Sequence, residues 1–489
     1  MRCRDTSVLL AVLVVMGCSP SKDEVDDGPG QPGQESPDDF YKSGSRLKAQ
    51  VTTTADGLRW PTEGFLWFDT TLNQPCYWEE SGGGGAVSCI PREMNSIPPG
   101  KGGFYADAGC TEGLILRSEL LPPGTHFARK GAACGEYPRY HAMGELVSRT
   151  TAYFHDGTTC SEVPVSPASK VYRVGAGVTA GTFARGTLKE RTKDSGISAH
   201  FIDGEDGSAQ FVHLRDVARD TACGNHWASD GKRRCLPVGP TTAHGQLAFA
   251  AVNPTCTEAA YSATCVARPR FAVTLSQSSC APASTVHEAG VEVTQVYSAA
   301  GAGVCQPLTM VPPDTRFFQA GAPIPASSFV ELKEVDLKTH GRLKVRGMAA
   351  GDAVRIPVGV HDTELDTDCR FLEDASRKLR CFPLSNLSSN QNLFADSACT
   401  SPVGVEDVPT CASSPPSKHV LVRTFTATTP YYRAYNTGAK HDGPLFERPF
   451  GGGTPGDCRP AQRTSGAAYY QLGVEIPATS LVEGTRTRD

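Results

Sequence analysis

The stretch from Cys223 to Pro237 reads CGNHWASDGKRRCLP. Cys76 to Pro91 (CYWEESGGGGAVSCIP) and Cys369 to Pro383 (CRFLEDASRKLRCFP) have the same plan. Each opens on a cysteine, passes a polar or glycine-rich centre and closes on Cys-apolar-Pro. That pattern reads as a β-hairpin whose two strands are stapled by a disulfide. The three copies recur at intervals of about 145 residues, the mark of an internally repeated architecture.

Other features recur at the same interval. A short apolar-Lys strand start is found at Leu47-Lys48, Leu188-Lys189 and Leu343-Lys344. An aspartate precedes each first cysteine: Asp69, Asp216 and Asp362. Asp is a strand-ending turn former through hydrogen bonds to its own backbone, which is a simpler reading than a triad of functional acids. A second element runs Tyr105 to Thr111 and Phe394 to Thr400, with Cys256-Thr257 as the middle copy. A third ends each unit, as in Phe317 to Pro325 and Tyr469 to Pro477. The echo of Tyr105–Glu112 in Phe154–Glu162 makes the second and third elements relatives. Three repeats follow, at 44–186, 187–332 and 341–485.

The expected fold class is all-β. Tyr470, Leu472, Val474 and Ile476 alternate with polar or small residues, the period of a half-buried strand. Fifty glycines and 36 prolines interrupt short apolar runs. Antiparallel strands arranged as propeller-like blades, or as tandem small β domains, both fit this punctuation.

The amino-terminal residues are read apart from the fold. Arg2 and Arg4 precede the apolar run Val8–Met16, and Val15-Met16-Gly17-Cys18 resembles a bacterial lipobox. On that resemblance residues 1–17 are a signal peptide and Cys18 is the lipidation site. Residues 18–39, rich in proline, glycine and acid, form a disordered tether. The resemblance implies an outer-membrane anchor with the body exported, on the periplasmic or cell-surface side. The net charge of −5 carries no basic stripe, which excludes a nucleic-acid footprint.

Of 18 cysteines, Cys3 leaves with the signal and Cys18 is lipidated. Sixteen remain for disulfides: Cys76, Cys89, Cys110, Cys134, Cys160, Cys223, Cys235, Cys256, Cys265, Cys280, Cys305, Cys369, Cys381, Cys399, Cys411 and Cys458. Their spacing lacks the close Cys or His pairs of a zinc site, so no metal or cofactor is expected. Sequence proximity predicts the hairpin pairs Cys76–Cys89, Cys223–Cys235 and Cys369–Cys381. It further predicts Cys110–Cys134, Cys256–Cys265, Cys399–Cys411 and Cys280–Cys305. Cys160 and Cys458 are then left over, either paired with each other across a closed body or unpaired in a string of domains.

No nucleophile elbow, phosphate loop or dinucleotide fingerprint is present, so no catalytic residue is assigned. Asp203-Gly204-Glu205-Asp206-Gly207 reads as a tight turn rather than a calcium loop. Asp362, Glu364, Asp366 and Asp368 would share one face of a strand and read as a solvated edge. Trp60, Trp67, Trp78 and Trp227 are candidates for stacking on sugar rings. Trp78 and Trp227, with Phe371 in the third copy, are better explained as packing on the hairpin disulfides. The whole pattern resembles uncharacterised bacterial lipoproteins and implies no known activity. The expected function is a surface-anchored, non-enzymatic binding or structural scaffold for a glycan or protein ligand. The alternative is a surface hydrolase acting on glycans.

Overall fold

The computed structural model describes residues 40–489, except 63–66, 93, 98–102, 119, 122–125, 131–135, 157, 240–241, 246–249, 265–267, 276–283, 301–303, 309–314, 353, 390–391, 407–416, 425–429, 449–457 and 465. Among the described residues the regular structure is β, with short 3-10 turns at Ala180–Thr182, Ala326–Ser328 and Ala478–Ser480.

The three Cys-apolar-Pro stretches are hairpins in one shared register. Cys76 stands opposite Pro91, Cys223 opposite Pro237 and Cys369 opposite Pro383. Proline has no N–H and is tolerated where the ladder asks for none. The next residue resumes the ladder: Arg92, Val238 and Leu384 donate to the carbonyls of Pro75, Ala222 and Asp368. The cysteines pair diagonally, two residues off the direct rung, at Cα separations of 5.3, 5.1 and 5.2 Å.

Each hairpin extends into a larger set of strands. In the second set, Ala184–Asp194, Ile197–Gly204, Ala209–Asp216, Thr221–Trp227 and Arg233–Pro237 pair in sequence. In the third, Lys333–His340, Leu343–Ala350, Val354–Asp362, Thr367–Glu373 and Leu379–Pro383 do the same. The first set uses Leu47–Thr54, the interrupted strand Arg59–Pro61 and Trp67–Asp69, then Gln74–Glu80 and Ala86–Pro91. Its leading strand comes from the far end of the chain: Glu483–Arg488 pairs with both Leu47–Thr54 and Leu379–Pro383. Ala184–Asp194 likewise joins Ala86–Pro91 to Ile197–Gly204. A bridge between Arg234 and Glu331 joins the second set to the third. The strands therefore close into a ring.

Turns lock the ring in a cycle. The Asp206 carboxylate of the second set accepts the backbone N–H groups of Arg46 and Leu47. Asp194, at the start of the second set, accepts the N–H of Asp352 in the third at 2.7 Å. Asp56 of the first set lies against Gly341 at the start of the third, where any Cβ would collide with its carboxylate. Apolar contact follows the same seams. Phe201 and Phe211 share a cluster with Met348 and Ile356, and Leu58 shares one with Leu343 and Val360.

A lobe of five strands follows each hairpin. Thr242–Gly245, Tyr261–Thr264, Thr315–Ile324, Thr285–Val293 and Phe271–Thr274 form a closed barrel in that order. Leu387–Ser389, Val403–Glu406, Ala468–Ile476, Tyr431–Lys440 and His419–Thr424 form a second. The first lobe has the same pairing order over Met94–Ile97, Phe127–Lys130, Arg139–Val147, Lys170–Gly177 and Gly113–Arg117. It is left open between its first and last strands among the described residues. In every lobe the two longest strands cross through two bulges. At the crossing, glycines face the opposite backbone: Gly175 against Ala142, Gly321 against Glu288 and Gly473 against Asn436. In each case an added Cβ would come within 2.7 Å of a carbonyl oxygen.

Several sequence expectations are corrected here. The counterpart of Leu47 and Leu343 is Ile197, not Leu188. Ile197 pairs with Asp216 as Leu47 pairs with Asp69 and Leu343 with Asp362, whereas Leu188 lies on the connecting strand. The expected all-β, disulfide-stapled fold is present, its antiparallel strands organised as strand sets with a lobe after each hairpin. The lobe disulfides are Cys110–Cys160, Cys256–Cys305 and Cys399–Cys458. The pairs Cys110–Cys134, Cys256–Cys265, Cys399–Cys411, Cys280–Cys305 and Cys160–Cys458 are excluded by these. The physical reason is strand pairing: Tyr105 stands beside Tyr153, which brings the Cys110 turn to Cys160 on the next strand. The two echoing motifs are thus neighbours in one small sheet. Cys134, Cys265, Cys280 and Cys411 lie outside the described residues.

Candidate functional site

The three aspartates flagged by the repeat are buried and ion-paired. Asp69 accepts two hydrogen bonds from Arg46, at 2.9 and 2.8 Å, and also the N–H groups of Thr71 and Leu72. Asp362 binds Arg342 in the same bidentate way and accepts from Glu364 and Leu365. Gly196 stands where Arg46 and Arg342 would put an arginine in the second set. There Arg219 reaches back to Asp216 from three residues on. Each arginine then contacts a 3-10 turn, through Thr182, Ser480 or Ser328. These groups are fully committed to one another and tie ring to lobe.

The other acidic clusters are neutralised too. Asp362 ends one strand and Thr367 begins the next, so the four alternating acids do not share a strand face. Glu364 pairs with Arg342, Asp366 with Lys418, and Asp368 with Arg346. In the turn at 203–207, Asp206 spends its oxygens on backbone N–H groups and the Ser208 hydroxyl. No group of three or more metal-ligating side chains is found among the described residues.

The lobe tips carry a turn of one design. Cys110, Cys256 and Cys399 all adopt positive φ, at 52°, 52° and 53°. Their N–H groups donate to the carbonyls of Asp107, Asn253 and Asp396. The side chains of those three residues accept the N–H of Thr111, Thr257 and Thr400. The N–H of Glu112 leads the donors that hold Asp107 below the ordinary carboxylate range. At Asp396 desolvation pulls upward, but the donors from Thr400 and Ser401 outweigh it and the group falls to about 2.

An open cleft of about 480 Å³ lies where the first and third sets meet the third lobe. Trp60 and Thr62 contribute from the first set, Phe371 and Glu373 from the last hairpin, Arg486 from the closing strand and Tyr432 from the lobe. Thr52 is opposite Trp60 on one side and opposite Arg486 on the other, so the three form a single cross-strand row. Arg486 donates to Glu373 at 3.0 Å, and Arg377 also pairs with Glu373. The Thr62 hydroxyl is shielded from water and has no hydrogen-bond partner among the described residues.

Of the tryptophans named as stacking candidates, only Trp60 lines this cleft. Trp67 is buried in the core, its Nε1 donating to Gln210 at 2.6 Å. Trp78 faces Cys89 across its hairpin and Phe371 faces Cys381, as packing on disulfides requires. The equivalent residue in the second hairpin is Asn225, not Trp227. Trp227 instead lies under the Arg233 guanidinium, 4.4 Å from the ring centroid. Tyr432, Thr62, Glu373 and Arg486 escaped sequence reasoning because they meet only through ring closure. Cys18 and the tether lie outside the described residues.

The chain belongs to a family of unknown function, DUF7481, whose profile matches residues 39–243 and again 178–447. The second match begins inside the first, as internal repetition produces. No curated protein and no solved structure matches the chain. Six disulfides among the described residues indicate an exported chain maturing in an oxidising compartment.

Proposed function

We propose that this chain is an exported lipoprotein, anchored through Cys18 to the outer membrane, whose body is a non-enzymatic binding or structural scaffold. Its partners on this reading are the membrane, through the lipid, and a glycan or protein ligand. The body is three related units held as one ring, each carrying a disulfide-stapled lobe. The observation that carries the non-enzymatic reading is the state of Glu373. It is the one carboxylate among the described residues lining the cleft, and Arg486 and Arg377 both bind it. Glycoside hydrolysis calls for a pair of carboxylates flanking the bond, so the hydrolase alternative has less support.

Two experiments test the reading. Cys18→Ala should abolish acylation and move the protein from the membrane fraction to the soluble one. Retention of the variant in the membrane, with no lipid on the wild type, would end the anchor assignment. A glycan and protein binding array probed with the body Phe40–Asp489 should return a ligand that is bound and released unchanged. Turnover of that ligand would replace the scaffold with an enzyme.

A further inference from the structure

The geometry points to the cleft beside Trp60 as a subsite for an oligosaccharide. This rests on the binding reading above and names its site and ligand class. Trp60 and Tyr432 are partly exposed aromatic side chains lining one cavity, and aromatic rings offer flat apolar faces suited to the C–H face of a pyranose. From Trp60 the row continues through Thr52 to Arg486, whose side chain is 58% exposed and is joined to Glu373. A guanidinium beside a carboxylate presents N–H donors next to acceptor oxygens, which suits neighbouring hydroxyls on a sugar ring. Glu373 is shared with Arg377, and Arg370 also lines the cleft, so guanidinium donors outnumber the one carboxylate. A volume of about 480 Å³ is in the range of small-ligand sites and accepts about two sugar rings.

The test is calorimetric titration of the body Phe40–Asp489, whose ring closes on its own last strand, with chitotriose, cellotriose and maltotriose. At least one should bind. Tyr432→Ala and Arg486→Ala should each weaken binding about tenfold, the effect of removing one well-placed contact. Tyr432→Phe should keep the affinity. Leu146→Ser, on the distant first lobe, should have no effect. Absence of binding by all three neutral probes at about 10 mM, far above any useful dissociation constant, would overturn the proposal. An array ligand whose affinity ignores the Tyr432 and Arg486 variants would overturn the cleft assignment and leave the binding reading standing. An array with no ligand of any kind would end both.

Discussion

The carboxylate of Asp206 accepts the backbone N–H of Leu47 at 2.6 Å, across the seam between the second and first strand sets. It also takes the N–H of Arg46 and the hydroxyl and N–H of Ser208. A turn of one set thus caps the first strand of another. Asp206→Ala leaves those two seam N–H groups without their acceptor and should cost about 1–3 kcal/mol. Urea unfolding should show the lower midpoint; an unchanged midpoint would mean the seam is held by its apolar contacts alone.

Gly484 on the closing strand has no room for a side chain. A Cβ there would meet Thr52 Cγ2 at 2.3 Å and the Phe371 ring at 3.0 Å. Gly484→Val should therefore push the strand off the ring and cost about 1–3 kcal/mol or more, as overpacking does. Limited proteolysis is expected to clip the variant first near Leu481–Arg488. Wild-type resistance would show that the strand tolerates displacement.

The buried aspartates should respond unequally to loss of their arginines. Arg46→Ala strips Asp69, fully buried, of a bidentate partner, and breaking such a pair costs about 3–5 kcal/mol. Arg219 makes one short contact to Asp216 and also lies over the Phe329 ring. Its removal should lower the thermal midpoint less than removal of Arg46. Equal losses would contradict the ranking.

Peptide mapping without reductant should recover Cys110 linked to Cys160, Cys256 to Cys305 and Cys399 to Cys458. In the chain-entropy view these spans, near 50 residues, contribute about 4 kcal/mol each against about 3 for the hairpin loops. Cys160→Ser should thus destabilise more than Cys89→Ser. A Cys160–Cys458 peptide would refute the lobe assignment.

Stability should fall as pH drops from 6.5 towards 4. Burial, then the neighbouring His200 and Arg215, push His213 down to about 4, and its ring stacks on His200 with centroids 5.0 Å apart. The unfolded chain takes up that proton near 6.5 while the folded chain refuses it. Acid therefore favours unfolding across that window, by about 2 kcal/mol once partial solvent access is allowed for. His213→Gln should flatten the curve between those limits. A wild-type midpoint constant from pH 7 to 4.5 would show that His213 titrates normally.

How far the sequence could be read depended on whether partners were close along the chain. Each hairpin was legible because Cys, turn and Cys-apolar-Pro sit within one short span. The Asp after each strand was legible as a turn, but its arginine was not. Arg46 and Arg342 precede their strands by one residue, while the second set, with Gly196 in that place, recruits Arg219 from the other side. The lobe disulfides were misread because nearness in sequence stood in for nearness across strands. A usable signal was present in the paired glycines, Gly144 with Gly175, Gly290 with Gly321 and Gly438 with Gly473, which mark where two long strands cross. The cleft was illegible for a different reason: Trp60 meets Arg486 only once the two ends of the described body come together.

That meeting has a consequence for how the molecule is made. Thr53 and Thr487, whose hydroxyls touch at 3.0 Å, are 434 positions apart. A chain threaded across a membrane from its amino end must carry Leu47–Thr54 as a bare sheet edge until Glu483–Arg488 emerges. Contacts of such long range form slowly, and unpaired edges invite wrong partners while they wait. The lobes, whose strands and disulfides are local, are free to mature during that delay. Assembly is thus ordered in time: the lobes mature first, and the ring closes only when Glu483–Arg488 reaches Leu47–Thr54.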